Sequence, residues 1–97
     1  MSASHSVIRT ADGHRGAFTI ETDGKTVATM TYTVASTHVV IIDHTEVDES
    51  LRGTGAGHAL VEAAVQWARA SGQRIMPLCP YARSVFDRTP EFADVRR

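Results

Sequence analysis

Residues 51–60 read LRGTGAGHAL, with Gly53, Gly55 and Gly57 at alternate positions directly before a run of helical periodicity. Glycine is the costliest residue to order, and the first turn is the hardest part of a helix to form. The chemistry such a segment offers is anion binding. The first N–H groups of a helix have no acceptor inside it, the helix dipole adds partial positive charge there, and glycines let a bulky group approach the backbone. Arg52 contributes a full positive charge, and no acid occurs from 52 to 61, although Asp and Glu are ordinarily enriched in a first turn. For the glycines alone, a flexible turn without a ligand is an equal reading. A P-loop would need Lys and then Ser or Thr after its last glycine, whereas His58 and Ala59 follow Gly57; the dinucleotide fingerprint would need glycine at 58.

A second group is Cys79 in PLCPYA. Pro80 denies Cys79 helical geometry and is itself suited to a first helical position, so Cys79 falls at the cap, where the dipole favours thiolate. There it could accept an acyl group, protonate a leaving thiolate, or fill a small apolar gap. His44 and Glu46 share one strand face opposite Asp43 and Thr45. They could act as a base and its orienter, or be ordinary polarity at a strand end. His5, His14, His38 and His58 have no metal-ligand spacing and there is no second cysteine, so no metal is expected.

The elements that must position these groups follow from the hydrophobic period. RGAFTIET (15–22) and KTVATMTYTV (25–34) alternate as strands joined by Asp23-Gly24, a hairpin turn pair, and HVVIIDHTEV (38–47), after an AST turn, has the two-sided apolar start of a central strand. Beyond the glycines the period becomes helical. Ala56, Leu60, Ala63, Ala64, Trp67 and Ala68 form a stripe that Val61 and Val65 widen, with Gly72 as its stop. RIMPLC reads as a short strand, and a second helix from Pro80 carries Tyr81, Ala82, Val85 and Phe86 on one side, ending near Thr89-Pro90. The order strand, strand, strand, helix, strand, helix predicts an α/β or α+β sheet: an antiparallel meander, one crossover and a helix packed across it.

The 97 residues suit a single domain, with about 1–5 and 96–97 as flexible ends. Ten basic and eleven acidic side chains leave a formal charge of -1, which points to neither nucleic acid nor an anionic membrane as partner. One cysteine excludes an internal disulfide, the polar start MSASHS does not read as a signal peptide, and no apolar run could span a bilayer. A cytoplasmic location is the expectation.

Arg52, Gly55 and Gly57 resemble the acyl-CoA signature of the GNAT superfamily of N-acetyltransferases: Gln or Arg, two residues, Gly, one residue, then Gly or Ala. Val47, Arg52 and Gly53 fit its usual lead-in, with Glu49 where proline is common. HTEV, RGTGAG, LVEAAVQWARASG and PLCPYARS together resemble the minimal YjdJ-type branch over residues 15 to 95. The resemblance implies a shortened GNAT fold and an enzyme transferring acetyl from acetyl-CoA to a primary amine, on a small molecule or a protein lysine. A non-catalytic acyl-CoA-binding or regulatory module is the alternative. It implies that the backbone of Gly53, Thr54, Gly55, Ala56 and Gly57, beside Arg52, holds the diphosphate of coenzyme A. Glu46 and Val47 would offer main-chain groups to the pantetheine arm, with Cys79 on the other wall. Tyr81 could supply the leaving-group proton or pack in the core, and Arg83 and Arg88 could meet the 3′-phosphate or be solvated.

Overall fold

The computed structural model describes residues 6–97; the expected loose end at 1–5, with His5, lies outside the described residues. Five strands form one sheet in the order β1-β2-β3-β4-β5. They are β1 (Val7–Asp12), β2 (Arg15–Thr22), β3 (Lys25–Ser36), β4 (Val39–Val47) and β5 (Arg74–Pro77). The first four are antiparallel, and β5 joins β4 in parallel through helix α1 (Ala56–Ser71). Helix α2 (Pro80–Arg88) and a 3-10 segment (Pro90–Val95) follow. This is the α+β meander with one crossover that the period predicts.

Asp23 and Gly24 both take positive φ, 52° and 77°, the backbone that matches a two-residue turn to the twist of β2 and β3. On β2, β3 and β4 one set of alternate residues is buried: Phe18 and Ile20, then Ala28, Met30 and Tyr32, then Val40 and Ile42. Against them α1 packs Leu60, Val61, Ala64, Val65 and Ala68, and α2 adds Ala82, Val85 and Phe86. Gly72 ends α1 in the left-handed region at φ 71°, where glycine carries no side-chain penalty.

Three local readings differ. β1 is an additional strand; five of its six residues are exposed, so it has no apolar alternation to reveal it. Its anchor is Arg9, which donates to Tyr32 Oη at 2.8 Å and lies 4.9 Å over the Trp67 ring. The turn before β4 is residues 37–38 rather than AST, since Ala35 and Ser36 still belong to β3. Finally, residues 96–97 are tied down. Arg96 bridges to Ile75, the Arg97 N–H donates to the Ile75 carbonyl at 2.8 Å, and Arg96 pairs with Asp87 at 2.7 Å.

Candidate functional site

The segment between β4 and α1 is built to leave backbone donors open. Asp48 caps a short 3-10 turn (Glu49–Leu51) by accepting from the Ser50 N–H at 2.9 Å, a bond that holds its carboxyl below the usual carboxylate range. The chain then passes Gly53 at φ 78° and Gly55 at φ 84°, left-handed positions that an L side chain rarely takes. A Cβ at either would meet nothing within 4 Å, so conformation and not crowding requires glycine. Gly55 is the N-cap of α1 and supplies no side chain, and the first turn has no acid. Ala59 is the first helical residue to bond back, to the Gly55 carbonyl at 2.9 Å. The N–H groups of Ala56, Gly57 and His58 therefore have no acceptor within the helix.

These donors face a groove of about 580 Å³. Thr45 and Val47 of β4, Leu51, Arg52 and Gly53 of the joining segment, Gly55, Ala56, Gly57 and His58 at the start of α1, and Tyr81 and Arg88 of α2 line it. Its basic side chains are two arginines and a histidine, and no Asp or Glu lines it. Of the residues expected to hold coenzyme A, Val47, Arg52, Gly53, Gly55, Ala56, Gly57 and Tyr81 line the groove. Thr54 is in the same loop, its hydroxyl donating to the Leu51 carbonyl at 2.6 Å. Tyr81 is not core, as its helical spacing suggested. It is 38% exposed, and its ring lies where a Cβ on Gly57 would have to go. The two helices touch closely there because position 57 is bare.

Cys79 is the N-cap of α2, with Pro80 in the first turn. It is 4% exposed, and its Sγ lies 3.4 Å from Thr45 Oγ1. Burial pushes the thiol up, but the Thr45 hydroxyl and the N–H groups of Ala82 and Tyr81 outweigh it and hold the group below its ordinary value. Thr45 links this thiol to the groove. β5 has ended by then: its last pair is Ile42 with Pro77, and the Leu78 and Cys79 N–H groups both donate to the Ile42 carbonyl. Past Ile42, β4 pairs with no strand on that side, and Cys79 packs against it through Thr45.

His44 and Glu46 share a face, 3.5 Å apart and largely solvated, but it is the sheet face that no helix covers. Thr45 and Val47 turn toward the groove and these two away from it. Asp43 is not opposite them. The β3–β4 register shifts between Thr31 paired with His44 and Tyr32 paired with Ile42, which leaves Asp43 as an extra residue. It bonds Thr33 Oγ1 at 2.8 Å on the open face, and with His44 it borders a second hollow. Among the described residues no group of three or more His, Cys, Asp or Glu could hold a metal ion, and no helix is long and apolar enough to cross a membrane.

Comparison with known proteins adds the family. The model of the GCN5-related N-acetyl-transferases matches residues 17–95. The chain belongs to this family. Among solved structures, a GCN5-like candidate N-acetyltransferase of Staphylococcus aureus is 26% identical, with TM-score 0.72, over 93% of this chain and 87% of that one. The ribosomal-protein-alanine N-acetyltransferase of Brucella melitensis shares the fold at 20% identity and TM-score 0.67, over 79% of this chain and 62% of its own. So does the aminoglycoside N-acetyltransferase AAC(6')-Iy in complex with CoA, at 21% identity and TM-score 0.58, over 80% of this chain and 67% of its own. No curated protein matches the chain. Within the family fold, the groove residues that sequence reasoning missed are Thr45, Leu51 and His58. His58 follows the motif directly and could have been read with it, whereas Thr45 and Leu51 depend on the bulge and the 3-10 turn.

Proposed function

We propose that this chain is an acetyl-CoA-dependent N-acetyltransferase acting on a primary amine, and a minimal, YjdJ-type member of its family. One observation carries the reading: an uncapped, acid-free helix N-terminus opens onto a groove also lined by Thr45, the partner of the Cys79 thiol. The support for coenzyme A is chemical. The Arg52 guanidinium and the first-turn N–H groups, which have no acceptor inside the helix, suit a diphosphate, and left-handed glycines let it come against the backbone. The edge of β4 past Ile42, which pairs with no strand on that side, suits a narrow thioester arm.

In the reaction the neutral amine attacks the thioester carbonyl, a C–N bond forms, the C–S bond breaks, and the thiolate takes up a proton while the amine nitrogen loses one. Tyr81 borders the groove and Cys79 lies beside Thr45, which also lines it, so these two are the candidate proton donors for the departing sulfur. His44 and Glu46 can serve as base only for an amine that arrives from the open face of the sheet. The aminoglycoside and ribosomal-protein acceptors belong to the similar proteins; here the acceptor is taken to be an amine on a small molecule or a lysine on a protein, in the cytoplasm.

A second reading, a coenzyme A-binding module without turnover, draws on the placement of His44 and Glu46 across the sheet from the groove. Melting curves test binding. Acetyl-CoA and coenzyme A at a hundredfold excess over Kd should raise Tm by roughly 10 °C or more, ATP should do far less, and Gly55→Glu should abolish the shift. Thiol release from acetyl-CoA with a panel of amines then separates the two readings. Binding without release on any amine favours the module, and no stabilisation by either thioester or free thiol overturns both.

A further inference from the structure

The sheet face that no helix covers carries a hollow of about 350 Å³, bordered by Arg15 of β2, Thr31 of β3, and Asp43 and His44 of β4. The register accounts for that grouping. Arg15 stands opposite Thr33, and residues directly opposite share a face. The bulge frees Asp43 to reach Thr33 as well, whose Oγ1 donates to its carboxylate at 2.8 Å. That carboxylate is drawn over β3, one strand spacing or about 5 Å from the strand that carries Arg15. His44 stands opposite Thr31, two residues or roughly 7 Å further along β3, and its Nε2 lies 3.5 Å from Glu46. The hollow thus has a cation and an anion at one end and an imidazole at the other. Among the described residues no ion pair or side-chain hydrogen bond involves Arg15, although Asp12 stands opposite it on β1, and Asp43 is engaged through Oδ2 alone. His44 borders the hollow and Thr45 the groove: consecutive residues on opposite faces of β4, in the stretch past Ile42 that pairs with no strand on the β5 side.

We propose that this hollow receives the acceptor and that the acceptor is a free diamino acid: its carboxylate meets Arg15, its α-ammonium meets Asp43, and its side-chain amine lies beside His44 and Glu46, where it is acetylated. The inference rests on the acetyl-CoA reading of the groove. A zwitterionic head answers the unpartnered guanidinium and the nearby carboxylate together, and an extended side chain of three or four methylenes covers the distance from Thr33 to Thr31. The amine then comes to the edge of β4 from one face while the thioester comes to it from the other. At that nitrogen the amide C–N bond forms as the thioester C–S bond breaks, and the proton the nitrogen sheds balances the one the thiolate takes up. A polyamine of the same length would bring a second ammonium to Arg15, so charge selects against it. The contact between carboxylate and guanidinium is charge-assisted and, at an exposed site, weakened by salt.

The test is thiol release from acetyl-CoA by the full chain with three probes: lysine, cadaverine, which lacks the carboxylate, and aminocaproate, which lacks the α-amine. For the wild-type protein kcat/KM with lysine should exceed that with cadaverine about tenfold or more, a preference that shrinks with added salt, and that with aminocaproate about threefold or more. The product should carry its acetyl on the side-chain nitrogen. Arg15→Ala should bring lysine to within about threefold of cadaverine. Asp43→Asn, which can still accept from Thr33, should bring lysine level with aminocaproate. A rise in Tm with acetyl-CoA in both variants would show that the fold and the donor groove are intact. Lysine no faster than cadaverine, a preference that survives Arg15→Ala, or acetyl on the α-nitrogen overturns the inference and leaves the transferase reading standing. No release with any of the three, while acetyl-CoA still raises Tm, overturns the inference and leaves coenzyme A binding standing. No rise in Tm with acetyl-CoA in the wild-type protein overturns the reading beneath it as well.

Discussion

Cys79 shows how far a single residue can be read from its neighbours. Pro80 fixes it at the start of α2, and that part of its environment was legible. Its hydrogen-bond partner was not, because Thr45 comes from a strand 34 positions away and turns toward Cys79 only after the bulge at Asp43. Burial would raise the thiol's pKa; the Thr45 hydroxyl and the Ala82 and Tyr81 N–H groups lower it further than burial raises it. Ultraviolet titration of the thiolate should therefore give a lower midpoint in the folded protein than in the unfolded chain, and Thr45→Val should move it upward. The thiol's contribution to stability has the matching sign. It is fully present above the unfolded thiol's pKa and lost as pH falls through the folded one. An unchanged midpoint in Thr45→Val would show that the helix end alone sets the thiol's acidity.

Among the elements, the hairpin, the central strand and both helices were legible because each has a strong period and its own punctuation: Asp23-Gly24, Gly72, Pro80. The edge strand β1 has neither, being held by Arg9 against Tyr32 and Trp67 rather than by a buried face. The join between β4 and α1 was legible in its chemistry but not in its detail. Its three glycines have two different reasons. Gly55 is required by backbone conformation, so Gly55→Ala should cost about 1–2 kcal/mol and lower Tm by roughly 5–10 °C. Gly57 is required by the neighbour. Alanine there adds about 1 kcal/mol of helix propensity, but its Cβ meets the Tyr81 ring and drives it across the groove. Gly57→Ala should thus keep or raise Tm without ligand and weaken coenzyme A binding about tenfold or more. Removing the ring as well, in the Gly57→Ala, Tyr81→Ala pair, should recover part of that loss; no recovery would mean that the added methyl itself blocks the cradle.

At the scale of the whole molecule, the antiparallel meander and single crossover follow from the order of periods, but the closure of the C-terminal end does not. It is made by pairs distant in sequence: Arg69 with Asp94, Arg96 with Asp87, and the Arg96 and Arg97 backbone along Ile75. No local pattern marks such contacts, which is why 96–97 read as a loose end. Arg69 donates to Asp94 through Nε at 2.9 Å and Nη2 at 2.8 Å, a two-pronged contact that joins α1 to the last segment. Its hydrogen bonds hold the Asp94 carboxyl below the usual carboxylate range. The sign of the pH dependence follows. A carboxyl whose pKa is lower in the folded state adds stability that is present above its unfolded pKa of about 3.9 and disappears as pH falls through the folded value. Asp94→Asn should therefore melt below the wild-type protein at pH 7, and the gap should close in acid. Both partners are partly exposed, so salt should narrow the neutral-pH gap too. A gap that stayed constant from neutral to strongly acid pH would assign the closure to packing of Phe92 and Val95 in place of the charge pair.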